Sequence, residues 1–310
     1  MPRSPGGGRT PLLIAAAAVV PVGFLGWLLW DGSGGAADDG KRPAAAAASS
    51  APPPEHRASP SPRPRTSAPE QPSPSAPEAE GTPSADGPLK GKVVVVDPGH
   101  NIHNSEHTAE IDRSVDIGTG RKECDTTGTS TDAGYAEASF SLDVSHRLRR
   151  ILQAQGATVR LTHDGDRPFG PCVDERAEIG NKAHADAAVS VHADGAAVGD
   201  RGFHVILPAA VKGGRADTGP IAGPSKELGA RIAGNFVRTT GSAPSNYIGG
   251  GTGLDTRSDL GGLNLSTIPK VFIECGNMRD PQDAALLTDP TWREKAAQGI
   301  ANGIADFLRR

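Results

Sequence analysis

The chain has 310 residues, of which 36% are hydrophobic, 22% charged and only 4% aromatic, and its formal charge is -4. That apolar content argues against a wholly disordered protein, and the charge argues against nucleic acid as a partner, since from Lys90 onward 25 basic residues face 28 acidic ones. Three cysteines are too few for a disulfide scaffold but allow one bridge and one thiol left over.

Pro11 to Trp30 is an uncharged run of 20 residues, preceded by Arg3 and Arg9 and followed by Asp31, Asp38 and Asp39. At helical rise it spans roughly 30 Å, the thickness of a bilayer core. The charge asymmetry predicts a cytoplasmic stub and membrane anchor over 1–30, with everything after it exported. A cleaved signal peptide, with Gly34 to Ala37 as its small-residue site, is the alternative, and it too leaves the rest of the chain extracytoplasmic. Residues 31–89 contain 13 prolines, no aromatic residue, no Val, Ile or Met, and one Leu at the end. Such a segment cannot bury a core and is expected to be an unstructured tether with a reach on the order of 100 Å or more.

From residue 90 to 310 short β-branched runs alternate with amphipathic stretches, which predicts one α/β domain. Strands are predicted at 92–97, 158–162, 187–192, 203–207 and 271–274, suited to burial on both faces. Helices are predicted at 135–155, 173–185, 225–239 and 291–308. In an open α/β sheet the ligand site lies beyond the carboxyl ends of the strands, so the residues that follow each strand are the candidates. The first strand runs into Asp97-Pro98-Gly99-His100, where Gly99 permits a sharp turn; the third ends at His192 and the last at Glu274. A fourth candidate opens a helix. Taking 100° per residue from Glu137, Val144 falls at about -20°, Leu148 at about +20° and Ile151 at about -40°, which puts this carboxylate on the core-facing stripe, where it needs a partner.

Two imidazoles and a carboxylate suit one Zn2+ ion with a position left for water, and a further carboxylate can take a proton from that water. His100, Glu137 and His192 are therefore the expected ligands and Glu274 the expected general base. His103 and His107, spaced i,i+4 in a polar segment, are competing ligands. His204 is expected to face a helix, and His146, His163 and His184 the surface.

Read together, VVVVDPGHN (93–101), YAE (135–137), RAEIGNKAHADAAVSVHADG (176–195) and VFIECGNMRDPQDAALLTD (271–289) resemble the zinc-dependent N-acetylmuramoyl-L-alanine amidases of the amidase-3 family. The likeness covers 90–310 and leaves out the anchor and tether. It implies a twisted, mostly parallel sheet of about six strands flanked by helices, and hydrolysis of the amide between the lactyl group of N-acetylmuramic acid and L-alanine in peptidoglycan. A zinc carboxypeptidase or deacetylase acting on the wall, and a silent wall-binding domain, are the competing readings. Between His100 and Glu137 lie 36 residues, more than the minimal family core has. This insertion holds Cys124, and a disulfide to Cys172 is expected to pin it beside the site, with Cys275 left as a buried thiol. Arg257, Asp259 and Asn264 lie where the family places groups near the peptide, and Arg176 is expected to contact either substrate or a neighbouring acid. The protein is expected to be a monomer.

Overall fold

The computed structural model describes residues 86–309. The expected anchor, and the tether as far as residue 85, lie outside the described residues. In chain order these form β1 (Val93–Pro98), α1 (Thr108–Ile111), β2 (Ser114–Asp116), β3 (Arg121–Glu123), α2 (Glu137–Ala154), β4 (Thr158–Leu161), α3 (Val173–Lys182), β5 (Ala187–Asp194) and β6 (His204–Pro208). There follow β7 (Lys212–Gly213), β8 (Ala216–Asp217), α4 (Gly219–Thr240), β9 (Leu254–Arg257), α5 (Gly261–Asn264), β10 (Lys270–Asn277), α6 (Pro281–Thr288) and α7 (Pro290–Leu308).

Six strands make one sheet in the order β4-β1-β5-β10-β6-β9. The first four run parallel, β6 is antiparallel to β10, and β9 runs with β6. The expected mostly parallel α/β sheet is thus what the chain forms. Alternation sorts its side chains. Val94, Val96, Val189, Val191, Val205, Val271 and Ile273 join the main core under α2, α4 and α7, whereas Val95 and Ala188 point to the other face, with Ala185 and Ile268. Each such side chain, once buried, contributes on the order of 2 kcal/mol. Leu89, at the expected end of the tether, is fully buried in the main core and belongs to the domain.

Three consecutive strands of the sheet, β1, β5 and β10, carry the expected site residues at their carboxyl ends. In the register His192 lies opposite Glu274, and Glu274 opposite His204. Directly paired residues share a face, so these three side chains stand in a row across β5, β10 and β6. The face is the one opposite the main core. Helix α2 packs beneath β1, β4 and β5, so Glu137, its first residue, reaches the row from the edge of the sheet.

The short elements escape a periodicity reading, β9 and α6 among them. β9 (LDTR) is a partly exposed edge strand with no apolar run, flanked by glycine, and α6 is only eight residues long. Helix α6 does carry a readable start: Asp280 accepts from the backbone N–H of Gln282 and Asp283, and Pro281 follows it. Among the described residues no helix is long and apolar enough to cross a membrane.

Candidate metal centre

His100, Glu137 and His192 converge, each offering one ligand atom, and these atoms all lie within 4.8 Å of one another. Glu137 Oε1 is 3.1 Å from Nε2 of His100 and 2.9 Å from Nδ1 of His192, and accepts from the backbone N–H of Ala193 at 3.3 Å. Its second oxygen accepts from the N–H of Thr129 at 2.9 Å. Glu137 is 5% exposed, as a core-stripe position requires.

The backbone around the centre is shaped to let these groups meet. Gly99 and His100 together make the expected bend after β1. His100 itself takes the left-handed conformation, at φ 60°, and glycine is needed at 99 because a Cβ there would sit 2.4 Å from the His192 ring. Gly128, at φ 74°, is restricted twice: its conformation is left-handed, and a Cβ would lie 2.8 Å from both Glu137 Oε2 and the His100 ring.

Around the ligands lies a layer of buried charge. Nδ1 of His100 donates to the carbonyl of Thr126 at 3.0 Å, which leaves Nε2 to face the centre. Arg176, 5% exposed, donates to Asp97, Asp125 and the carbonyls of Pro98, His100 and Pro171. It is therefore a strut that fixes the turn before His100, pairing with acids and not with substrate. Asp97, fully buried, also accepts from Lys270, Thr162 and Ser190. Burial would raise the Asp97 carboxyl, but Lys270 and Arg176 hold it far below the usual carboxylate range. The His100 imidazole is likewise pulled down by burial, yet Glu137 and Asp125 together bring it up to about 9 in the metal-free protein. Glu137 is held well below its ordinary value by the two imidazoles, against burial.

These donors fit a zinc ion. Two imidazole nitrogens converge on one carboxylate oxygen, the arrangement in which a metal ion would take the place of the protons between them, and the set is the nitrogen-and-oxygen type that zinc takes. A cavity of about 270 Å³ lies against all three, lined also by Glu274, Arg257 and Phe272. Glu274 Oε2 is buried without a hydrogen-bond partner. Burial, with Glu137 and Asp194 nearby, raises the Glu274 carboxyl well above its ordinary value. A carboxylate kept without a donor beside a ligand set is placed to exchange a proton.

Other expected residues fall elsewhere. His107 stacks on Phe169 and pairs with Glu110, and neither it nor His103 belongs to the cluster. His163 is not a surface residue but 6% exposed, with Nε2 donating to the carbonyl of Pro98 at 3.0 Å. His204, 1% exposed, faces the Tyr247 ring edge-on, and Tyr247 donates to Asp194 at 2.7 Å. Arg257 lines the cavity and pairs bidentately with Asp259. Asn264 is fully buried, donating to Thr119 and the carbonyl of Ser258, so it braces the insertion and is not presented to a substrate. Cys124 and Cys172 form the expected disulfide, and both are buried with Val115. Cys275 is a buried free thiol, and burial pushes its pKa up. Thr126, Asp125 and Lys122 went unread in the sequence, because nothing in the polar insertion marks which of its side chains turn inward.

The family model described as N-acetylmuramoyl-L-alanine amidase matches residues 94–306. An N-acetylmuramoyl-L-alanine amidase of Mycobacterium tuberculosis is 42% identical over 225 residues, which are 71% of this chain and 88% of that protein. The amidase AmiA of Escherichia coli is 27% identical over 70% of this chain and 76% of its own length. Among solved structures, the N-acetylmuramyl-L-alanine amidase of Mycobacterium smegmatis is 41% identical with a TM-score of 0.65, covering 71% of this chain and 98% of that one.

Proposed function

The chain belongs to the N-acetylmuramoyl-L-alanine amidase family, and on that premise we propose that it hydrolyses the muramoyl–alanine amide of peptidoglycan as a zinc enzyme. His100, Glu137 and His192 would hold the ion and Glu274 would move the proton. Bound zinc supplies Lewis-acid polarisation of a carbonyl and makes water a nucleophile near neutral pH.

The chain's own groups supply the rest. Glu274 takes a proton from the attacking water through the carboxylate oxygen that lacks a partner. It holds that proton until the C–N bond breaks and then delivers it to the departing alanine nitrogen. The products are a lactyl carboxylate and a stem peptide with a free L-alanine amine. Phe272, stacked on the His192 ring at 5.2 Å between centroids, shields one side of that imidazole from water. The observation that carries the proposal is the convergence of three ligand atoms, two from the ends of β1 and β5 and one from the start of α2, beside an unpartnered buried carboxylate oxygen on the neighbouring β10.

Peptidoglycan lies outside the cytoplasmic membrane and the Cys124–Cys172 bond suits an oxidising compartment. Both support an extracytoplasmic location, and the uncharged run at 11–30, between Arg9 and Asp31, is the segment proposed to hold the chain to the membrane. Mass spectrometry of purified peptidoglycan incubated with the full chain tests the bond assignment. Stem peptides with a free L-alanine amine are expected; peptides shortened at the other end, or deacetylated sugars with every muramoyl–alanine bond intact, would overturn it.

A further inference from the structure

The cleft over the metal centre has two arms, which share His100, His192, Leu260 and Phe272. One, of about 270 Å³, passes Glu274 to reach Arg257; the other, of about 220 Å³, runs toward Lys122 on β3 of the insertion. The two cations at the ends of these arms meet on a single acid. Arg257 donates from Nε and Nη2 to Asp259 at 2.8 and 2.7 Å, and Lys122 donates to the same carboxylate at 2.8 Å. All three side chains are partly exposed, at 38%, 39% and 45%.

This cluster has donors to spare. Asp259 uses two of the five N–H donors of Arg257 and one of the three of Lys122. Asp255 and Glu274 also act on Arg257, and Glu123 lines the arm beside Lys122, so it is the unused donors that mark the cluster. The lysine is held in place from two sides. The Cys124–Cys172 bond follows it by two residues, and Asn264, fully buried, donates to Thr119 in the same hairpin. Asp259 itself shows that this position receives a carboxylate, bidentately on the guanidinium.

Resting on the amidase reading, we propose that Lys122 and Arg257 form a subsite for a carboxylate of the stem peptide, so that the enzyme favours a substrate whose residue after L-alanine bears a free carboxylate over one bearing a carboxamide. The insertion between β1 and α2 then acts as a specificity element, which no catalytic role of Glu274 or the metal ligands requires. Asp259 competes with the substrate for the same two cations and tempers the preference.

The test compares kcat and KM of the zinc-loaded full chain on two synthetic muramyl dipeptides that differ only in carboxylate against carboxamide at that residue. Roughly tenfold or greater preference for the carboxylate, carried by KM, is expected of the wild type. K122M should lose most of that ratio and K122R keep it, each judged against its own carboxamide rate, which reports folded enzyme. D259N should raise the ratio, whereas a merely structural cluster would lower it in K122M and D259N alike. The wild-type preference should also shrink as salt is added. Equal kcat/KM for the two substrates, or an unchanged ratio in K122M, with carboxamide turnover intact, overturns the subsite and spares the amidase reading. Turnover of neither substrate by any of the proteins overturns the amidase reading and the subsite with it.

Discussion

Glu137 illustrates how much a single position decides. A carboxylate on the buried stripe of an amphipathic helix needs positive partners, and it finds two imidazoles 3.1 and 2.9 Å away. Such proximity depends on residues that do no chemistry. Replacing Gly128 by alanine puts a methyl group against Glu137 and His100 in a backbone conformation that disfavours it, so zinc affinity should fall by about tenfold or more with the fold intact. Equilibrium metal titration of G128A measures this, and unchanged affinity would mean the loop yields without moving the ligands. Arg176 is a second such residue. Its loss would leave Asp97 and Asp125 buried with fewer partners, so R176M should cost about 3–5 kcal/mol of stability, read by denaturant unfolding. The clustered residues His100, Glu137 and His192, and Glu274 beside them, were legible in the sequence because each lies at a strand end or opens a helix. Asp125, Thr126 and Lys122 were not, because an irregular segment has no period from which to tell an inward side chain from an outward one.

At the scale of elements, the sheet was readable wherever β-branched runs are buried on both faces, and it was not where a strand lies at an edge. β9 fails the reading for that reason, and with it went the knowledge that Arg257 closes a strand beside the cleft. The insertion owes its placement to a covalent bond together with a few buried side chains. Its β2–β3 hairpin buries Val115 and Ile117, and the bond between Cys124 and Cys172, 48 residues apart, ties it to the start of α3. Thiol titration of the unreduced, denatured protein should therefore find one reactive thiol, Cys275, and three would contradict the pairing. Removing the bridge in C124S/C172S should lower unfolding stability by about 2–4 kcal/mol. The loss should fall first on the order of the hairpin, visible as faster amide exchange over 113–126 than over α2.

For the whole molecule, the buried carboxylates Asp97 and Asp125 make stability depend on pH on the acid side. Asp97 and Asp125 both titrate below their ordinary values in the folded protein, because Arg176, with Lys270 at Asp97, favours their charged forms over the cost of burial. A depressed folded pKa contributes stability that is fully present above the unfolded value, near 4, and is lost as pH falls toward the folded one. Denaturant unfolding should thus show stability declining steadily below about pH 4 to 5, and a flat profile between pH 5 and 3 would contradict the network. The same network lies directly beneath the metal centre, so the groups that hold the domain together also aim His100.

The central claim is that this amidase works through an ion held by His100, Glu137 and His192, with Glu274 moving the proton. Its most direct test is to strip the full chain of metal, restore one equivalent of zinc, and follow stem-peptide release in the wild type and in E274Q. The wild type should lose activity with the metal and regain it at one equivalent, whereas E274Q should bind the same single zinc and release peptide at least about 100-fold more slowly. Full activity in the stripped protein, or an E274Q that turns over normally once zinc is restored, would contradict it.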